Sequence, residues 1–541
     1  MEVTSMILSS LIKVFSDEKP AGKISHVEGF INETISFQSA HKGNNYGNCV
    51  LMVKIISPIQ EFIRVRDVQT IPVLSNLRPS DDYVLRRTPG LYPDLLTELD
   101  NNVIYVSADI WRGIWFDIEN APPGTYPIEV QIVDGGDNPK STTSLTATIH
   151  AAKLPKQKLI RTDWFHADCL AGYYQVEVWS EEHWRIVRNF IEVAVKRGTN
   201  MITTPTFTLP LDTEPGLERI TTQLVDVEVN NDQYSFGFER LRRWVDMCHE
   251  CGGEYFEIAH LFSQWGAKHA PKVMATVDGE YKRIFGWETD SIGEEYKIFL
   301  GAYLTELTAF LKEMGIGDKC YFHISDEPQK DHFERYKACR QIVAPYLKDF
   351  KIIDAMSEIE YFRPDVADIP IPATSLAAPF FDVGMKEPWL YYACGELNKV
   401  SNLFVQFPSA RNRILGVQLY KYAIQGFLYW GFNFYNTYNS FAQLDPYRAL
   451  DNGGFPAGNS YQVYPGRGGV PEESIRLMVV HHSMQDLRAL QMLEGLTNRD
   501  FVIDIIEEGL DEPISLTEYP RNDTYLLDLR NRVNHEIMKR V

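Results

Sequence analysis

Two carboxylic acids stand side by side at Asp326-Glu327, directly after the apolar run Tyr321-Phe322-His323-Ile324-Ser325 and directly before Pro328. A run of this kind that stops in two acids and a proline reads as a buried strand delivering those acids to a cleft. Glycosidic bonds break through an oxocarbenium-like transition state, which requires a proton donor at the leaving oxygen and negative charge near the anomeric carbon. Glu327 is the natural donor. An ordinary retaining pair stands about 5 to 5.5 Å apart and uses a second strand, a geometry that sequence neighbours serve poorly. Adjacency suits another division of labour. The carbonyl oxygen of a 2-acetamido group on the sugar attacks the anomeric carbon, Asp326 accepts the amide N–H and offsets the positive ring, and Glu327 protonates the leaving group. The competing reading makes both acids the cap and first turn of a helix through Phe333 to Val343, where acids are common.

Aromatic side chains that can cover the apolar faces of a sugar gather beside similar segments. Tyr429-Trp430-Gly431-Phe432-Asn433 makes Trp430 a pocket wall and Asn433 a sugar-hydroxyl partner. Trp389-Leu390-Tyr391-Tyr392 offers Tyr391 to the ligand and Tyr392 as a hydroxyl donor to the acetamido oxygen. Trp164-Phe165-His166-Ala167-Asp168 supplies Asp168 for a sugar hydroxyl and His166 as an orienting histidine, a role His323 can share. Glu257 and His260, with Trp265 and Trp287 in the long loop that follows, are assigned to the outer cleft. Filling of a packed interior is the commoner fate of strand aromatics and stands as the alternative for each.

These residues need a scaffold that brings several strand ends to one face. From Leu159 onward the pattern is strand, helix, strand, with candidate strands beginning near Leu159, Asn200, Glu254, Cys320, Lys351, Ile369, Trp389 and Gly426. Eight such units predict a closed (β/α)8 barrel, whose active sites lie at the C-terminal ends of the strands. The helix between the first two strands is well punctuated. Ser180 caps it, Glu181 and Glu182 favour its positive end, Trp184, Val187, Ile191 and Val195 form its apolar stripe, and Gly198 ends it. Upstream of the acids, Tyr296, Phe299, Leu300, Tyr303, Leu304, Leu307, Phe310 and Leu311 recur at helical spacing. Before the barrel, alternation at Ile128, Val130 and Ile132 and at Leu145, Ala147 and Ile149 predicts a β-sandwich. The expected organisation is a sandwich over 1–154, the barrel over 159–497 with a closing helix from Ser474 to Leu493, and an extension over 498–541 packed on the barrel. The fold class is therefore α/β, a TIM barrel preceded by a β-sandwich.

Composition narrows the partners. With 53 Lys and Arg against 73 Asp and Glu the chain carries a formal charge of −20, which repels polyphosphate and argues against nucleic acid. Seven cysteines in 541 residues, mostly inside apolar periodic segments, fit a reducing compartment and a cytoplasmic location. Cys248 and Cys251 form one C-x-x-C, but no second pair stands at zinc-site spacing, so buried thiols are expected and no metal. The apolar stretch from Met6 to Phe15 lacks a basic start and is interrupted by Lys13, so it reads as a structural element rather than a signal peptide. No run of about 18 apolar residues occurs, so no membrane insertion is expected. Nothing in the sequence specifies an oligomeric state.

Taken in order, Arg161-Thr162-Asp163-Trp164-Phe165-His166-Ala167-Asp168, Ser325-Asp326-Glu327-Pro328, Tyr429-Trp430-Gly431-Phe432-Asn433, Val463-Tyr464-Pro465-Gly466 and Ser474-Ile475-Arg476-Leu477 give a chain that resembles glycoside hydrolase family 123 over nearly its whole length. The resemblance implies an exo-acting β-N-acetylgalactosaminidase that releases terminal β-linked N-acetylgalactosamine from a glycan or glycolipid-derived oligosaccharide. Retention through an oxazolinium intermediate is implied too, with Asp326 stabilising that intermediate, Glu327 as acid/base and no cofactor. Two departures stand out: Gly458-Asn459 where the family often has Gly-Asp, and His481-His482-Ser483 in place of an arginine- and glycine-containing run. Two other readings compete. One is a conventional retaining glycosidase with Glu387 or Glu396 as nucleophile. The other is a noncatalytic glycan-binding protein using Tyr46, Trp111 and Trp115 of the sandwich.

Overall fold

A computed structural model describes residues 2–44, 47–79, 81–451 and 453–541. Eight parallel strands form the barrel: Ile160–Asp163, Met201–Thr204, Tyr255–Ile258, Cys320–Phe322, Lys351–Ala355, Ile369–Ile371, Trp389–Tyr392 and Gly426–Tyr429. Each begins within one residue of the position expected from sequence. The sheet runs in order from the sixth strand through the first to the eighth and seventh. Beyond the short, proline-bearing sixth strand, Tyr391 N–H donates to Pro372 O at 3.1 Å and Thr374 N–H to Tyr391 O at 2.9 Å, which closes the ring.

The helices outside the barrel follow their sequence signals. Ser180 accepts from His183 N–H at 3.2 Å and starts Glu181–Lys196, whose buried face includes Trp184, Val187 and Ile191. Glu294–Glu313 buries Phe299, Leu300, Tyr303, Leu304 and Leu307 as it leads into the fourth strand. Cys248 is buried in the helix Glu239–Glu250, with Cys251 as its C-cap.

Ahead of the barrel, two sheets pack face to face around Phe37, Val53, Ile104, Ile114, Phe116, Ile128, Ile132 and Leu145. Phe37 and Phe116 stack with centroids 4.7 Å apart. The larger sheet is completed from far along the chain, because Val463–Tyr464 and Glu472–Ser474 pair onto Gly90–Glu98. At this seam Glu473 is buried among Arg66, at 2.6 Å, Arg197 and Arg64. Burial would raise its pKa, but Arg197 and Arg66 hold it well below the carboxylate range. Arg476 follows the seam and donates twice to Asp94 at 2.9 Å. Trp111 and Trp115 are buried in the sandwich region and present no sugar platform; Tyr46 lies outside the described residues.

The closing helix is Ile475–Leu496. Residues 498–541 contain the helices Arg499–Glu507 and Asp523–Met538 and, among the described residues, no strand. Arg530 of the latter joins Asp486 of the closing helix, at 3.1 Å, to Glu33 of the sandwich, at 2.5 Å. Among the described residues no helix is long and apolar enough to cross a membrane.

Candidate functional site

After the fourth strand the chain is stitched to its neighbours on both sides. Leu261 and Phe262 donate to the carbonyls of His323 and Ile324, Trp265 donates to that of Asp326 at 2.8 Å, and Glu327 N–H donates to Ala355 O at 3.1 Å. Glu327 is thereby held at φ +41°, a left-handed conformation that is strained for glutamate and rarer still before proline. The next α-helix, Phe333–Leu347, starts six residues later and is preceded by a 3-10 turn capped by Gln329. The acids therefore do not cap a helix.

Asp326 and Glu327 are half-buried at the C-terminal end of the barrel. Burial, and for Asp326 next the charge of Glu327, pushes both carboxyls above their ordinary pKa values. Two acids within one another's field do not ionise independently, because the charge of the first disfavours that of the second. Tyr391 donates its hydroxyl to Glu327 Oε1 at 2.7 Å and favours the ionised form, which leaves the other carboxylate oxygen for a leaving group.

Beneath the acids lies a buried polar relay. His323 faces Glu257 Oε1 through Nε2 at 2.5 Å and Asp354 Oδ1 through Nδ1 at 2.8 Å. Glu257 also receives Thr162 and, at 2.7 Å, the Trp164 indole; Asp354 receives Ile324 N–H and, at 2.5 Å, the Tyr336 hydroxyl. With a carboxylate at each nitrogen the ring must carry both protons. Burial alone would lower its pKa, but Asp354 and Glu257 override that and push it up to about 9. His260 stacks on this imidazolium with centroids 4.2 Å and planes 17° apart, and burial keeps it neutral. The ligand atoms of His260, His323 and Asp354 lie within 4.8 Å of one another. Near-parallel rings, however, aim their nitrogen lone pairs side by side rather than at one point, and both His323 nitrogens are already engaged, so the group fits a hydrogen-bond relay and not a metal site.

Several assignments from sequence are corrected by these partners. Glu257 is buried in the relay and is not in the outer cleft. Tyr392 packs against Phe427 and Tyr429 on the helix side of its strand, its hydroxyl 3.5 Å from Asn412, so it cannot reach a bound acetamido group; its neighbour Tyr391 is the tyrosine that faces Glu327. Asp168 is engaged by Arg219 at 2.8 and 2.6 Å and is not open to a sugar hydroxyl. Asn433 clasps the backbone of His166 through both its amide oxygen, at 2.9 Å, and its amide nitrogen, at 3.1 Å, so it ties the first strand to the eighth instead of meeting ligand. His166 itself orients: it accepts from Arg219 at Nδ1 and donates from Nε2 to Trp430 O, both at 3.0 Å. Burial and then Arg219 lower its pKa to about 3, so it stays neutral. Trp430 is half-buried just after the eighth strand, packed on Phe434 and Phe455, and its indole donates to Asn459 Oδ1 at 2.8 Å. Cys394 donates to the same oxygen at 2.9 Å.

Two residues escaped the sequence reading. Arg219 and Asp212 lie in the loop after the second strand; Arg219 pins that loop, and Asp212, raised to about 7 by burial, lies within the field of Asp326. A four-stranded antiparallel-rich sheet, Gln233–Gly237, Asp226–Asn230, Val273–Val277 and Glu280–Phe285, grows from the loops after the second and third strands. Glu396, one of the two alternative nucleophiles, accepts from Ala393 N–H at 2.7 Å and from Ser375 at 3.2 Å. Glu387 is exposed in an ion pair with Lys351, at 2.7 Å, at the opposite ends of the strands.

A parallel eight-stranded barrel with adjacent acids at the end of its fourth strand, fronted by a sandwich, has the build of a glycoside hydrolase. The catalytic-domain model of glycoside hydrolase 123 matches residues 164–493, and the chain belongs to that family. Among solved structures it is similar to a family 123 glycoside hydrolase from Clostridium perfringens, at 14% identity and TM-score 0.74, covering 100% of this chain and 98% of that one. A β-glucuronidase from Parabacteroides merdae matches at 13% identity and TM-score 0.31 over 87% of this chain and 51% of its own. No curated protein matches the sequence.

Proposed function

We propose that this glycoside hydrolase is an exo-acting β-N-acetylgalactosaminidase that works with retention and with the substrate's own acetamido group as nucleophile. The observation that carries the reading is the commitment of both alternative nucleophiles. Glu387 sits at the far end of the barrel and Glu396 is bound to Ala393 and Ser375, which leaves Asp326 and Glu327 as the working pair. Asp326 accepts the acetamido N–H, turns the carbonyl oxygen toward the anomeric carbon and offsets the charge of the oxazolinium ring as it closes. Glu327 gives its proton to the leaving oxygen, then takes one from water, whose oxygen opens the ring at the anomeric carbon from the original face. Trp430 covers an apolar face of the sugar, and Tyr391 orients Glu327. The solved relative's association with glycolipid glycans supports a glycan or glycolipid-derived oligosaccharide as substrate. The low cysteine usage supports a cytoplasmic location.

The test is hydrolysis of a chromogenic β-N-acetylgalactosaminide by Asp326→Asn and Glu327→Gln. Both are expected to lose turnover by orders of magnitude, with a thiazoline mimic inhibiting the parent protein. Undiminished turnover in either variant, or a covalent glycosyl ester trapped on Glu396, would overturn the reading.

A further inference from the structure

The chain that follows the eighth strand folds back on itself as a narrow loop. Asn436 and Gln443 form an antiparallel bridge, Thr437 N–H donates to Ala442 O at 2.8 Å, and Ala442 N–H donates to Thr437 Oγ1 at 3.0 Å. At the tip, Asn439 and Ser440 both adopt left-handed backbone, φ +58° and +56°. Two consecutive non-glycine residues in that region are costly and persist only where their surroundings enforce them. The enforcement comes from the loop after the second strand. Asn439 N–H donates to Asp212 Oδ2 at 3.0 Å, Ser440 Oγ donates to Asp212 O at 2.6 Å, and the Asn439 amide reaches Glu214 at 2.7 Å.

This latch turns the two polar tip residues inward and leaves Tyr438 and Phe441 facing solvent, 47% and 64% exposed. An isolated exposed aromatic needs no explanation, but Tyr438 continues an aromatic line from Trp430, and Phe441 stands three residues further along the same tip. Trp430 lies 5.0 Å from Phe455, and Phe455 lies 5.6 Å, edge to face, from Tyr438. Asp212, on which the tip is anchored, lies in the loop after the second strand, and that loop and the acid pair both follow the C-terminal ends of barrel strands.

We propose that Tyr438 and Phe441 form the platform for the sugar on the leaving-group side of the scissile bond. The inference rests on the hydrolase reading above. A pyranose ring presents an apolar face of axial C–H groups, which packs on a held aromatic ring; a flexible loop would lose side-chain entropy in doing the same, and the left-handed tip removes that loss in advance.

The experiment compares an N-acetylgalactosaminyl-β-(1→4)-hexoside with N-acetylgalactosaminyl β-fluoride, whose leaving group has no ring. Tyr438→Ala and Phe441→Ala are each expected to lower kcat/KM for the disaccharide by roughly three- to tenfold, chiefly through KM, while the fluoride changes less than about twofold. Phe441→Tyr should retain the disaccharide rate. Equal losses on both substrates, or none on the disaccharide, would overturn the platform. Saturation-transfer NMR of the disaccharide on Glu327→Gln reads the same contact without turnover. Transfer to the reducing-side ring should be present and should vanish when Tyr438→Ala and Phe441→Ala are added, and its absence from the parent variant would refute the proposal. A wild-type protein that hydrolyses neither substrate would sink the functional reading instead, with the NMR arm still deciding the platform.

Discussion

Replacing His323 by glutamine removes the charge that bridges Glu257 and Asp354. The size of the effect follows from the ring's pKa, which stands at about 9 in the folded chain against an ordinary 6.5. A rise of that size corresponds to roughly 3 kcal/mol of preference for the imidazolium, consistent with the roughly 3–5 kcal/mol expected when one partner of a buried pair is removed. The pKa is raised on folding, so this stability is fully present below 6.5 and is lost as pH rises through about 9. The gap between wild type and His323→Gln should therefore be largest in urea unfolding at about pH 6 and should shrink markedly by about pH 9.5. Catalysis supplies a second readout. The charge on His323 favours ionised Asp326, against the opposing carboxyls of Glu327, Asp354 and Asp212. Without it the acid limb of kcat/KM should move to higher pH. A stability gap that is the same at both pH values, together with an unmoved acid limb, would refute the imidazolium assignment, because a merely space-filling histidine would give that result.

Tyr391→Phe removes the 2.7 Å hydrogen bond that favours ionised Glu327. It should move the basic limb of kcat upward and lower kcat by about tenfold or more, as read from a pH–rate profile. Glu473→Gln weakens the seam between sandwich and barrel by about 3–5 kcal/mol, seen as a lower unfolding midpoint near neutrality. Because Glu473 is depressed on folding, its contribution exists above its ordinary 4.5 and fades as pH falls, so the wild-type advantage should narrow in acid.

The barrel was legible because its signals are local. Eight apolar runs recur along the chain, the first five separated by helices, and Ser180, Glu181 and Gly198 mark one helix at both ends without help from tertiary context. The Asp326-Glu327 pair was legible for the same reason, since a strand ending in two acids is visible in a dozen residues. Phase within a strand was not. In Trp389–Tyr392 all four residues are buried, because a barrel strand is covered on both faces, so no polar alternation distinguishes Tyr391 from Tyr392. Partners were not legible either: Asp168, Asn433 and Glu257 have the chemistry to meet a sugar, and what withholds them is Arg219, His166 and His323 arriving from other parts of the chain. The added sheet had readable turns at Asn231-Asp232 and Asp278-Gly279, both in left-handed backbone, the strongest short hairpin signals available.

The charge distribution around the pair suits the proposed mechanism, in which the substrate carries the cation. Asp326, Glu327, Asp212 and Glu396 are all pushed upward in pKa, first by burial. The two buried cations nearby are already held, Arg219 by Asp168 and His323 between Glu257 and Asp354. A site with this much carboxylate and, among the described residues, no uncommitted cation gains little from a neutral sugar. Under the proposed mechanism it gains most from what becomes positive, an oxocarbenium-like centre or the oxazolinium ring that follows. Stabilisation that grows as charge develops lowers the barrier instead of deepening the ground state. Placing both acids on one strand end, where the fourth strand's neighbours fix the backbone on each side, keeps that field in place before the substrate arrives.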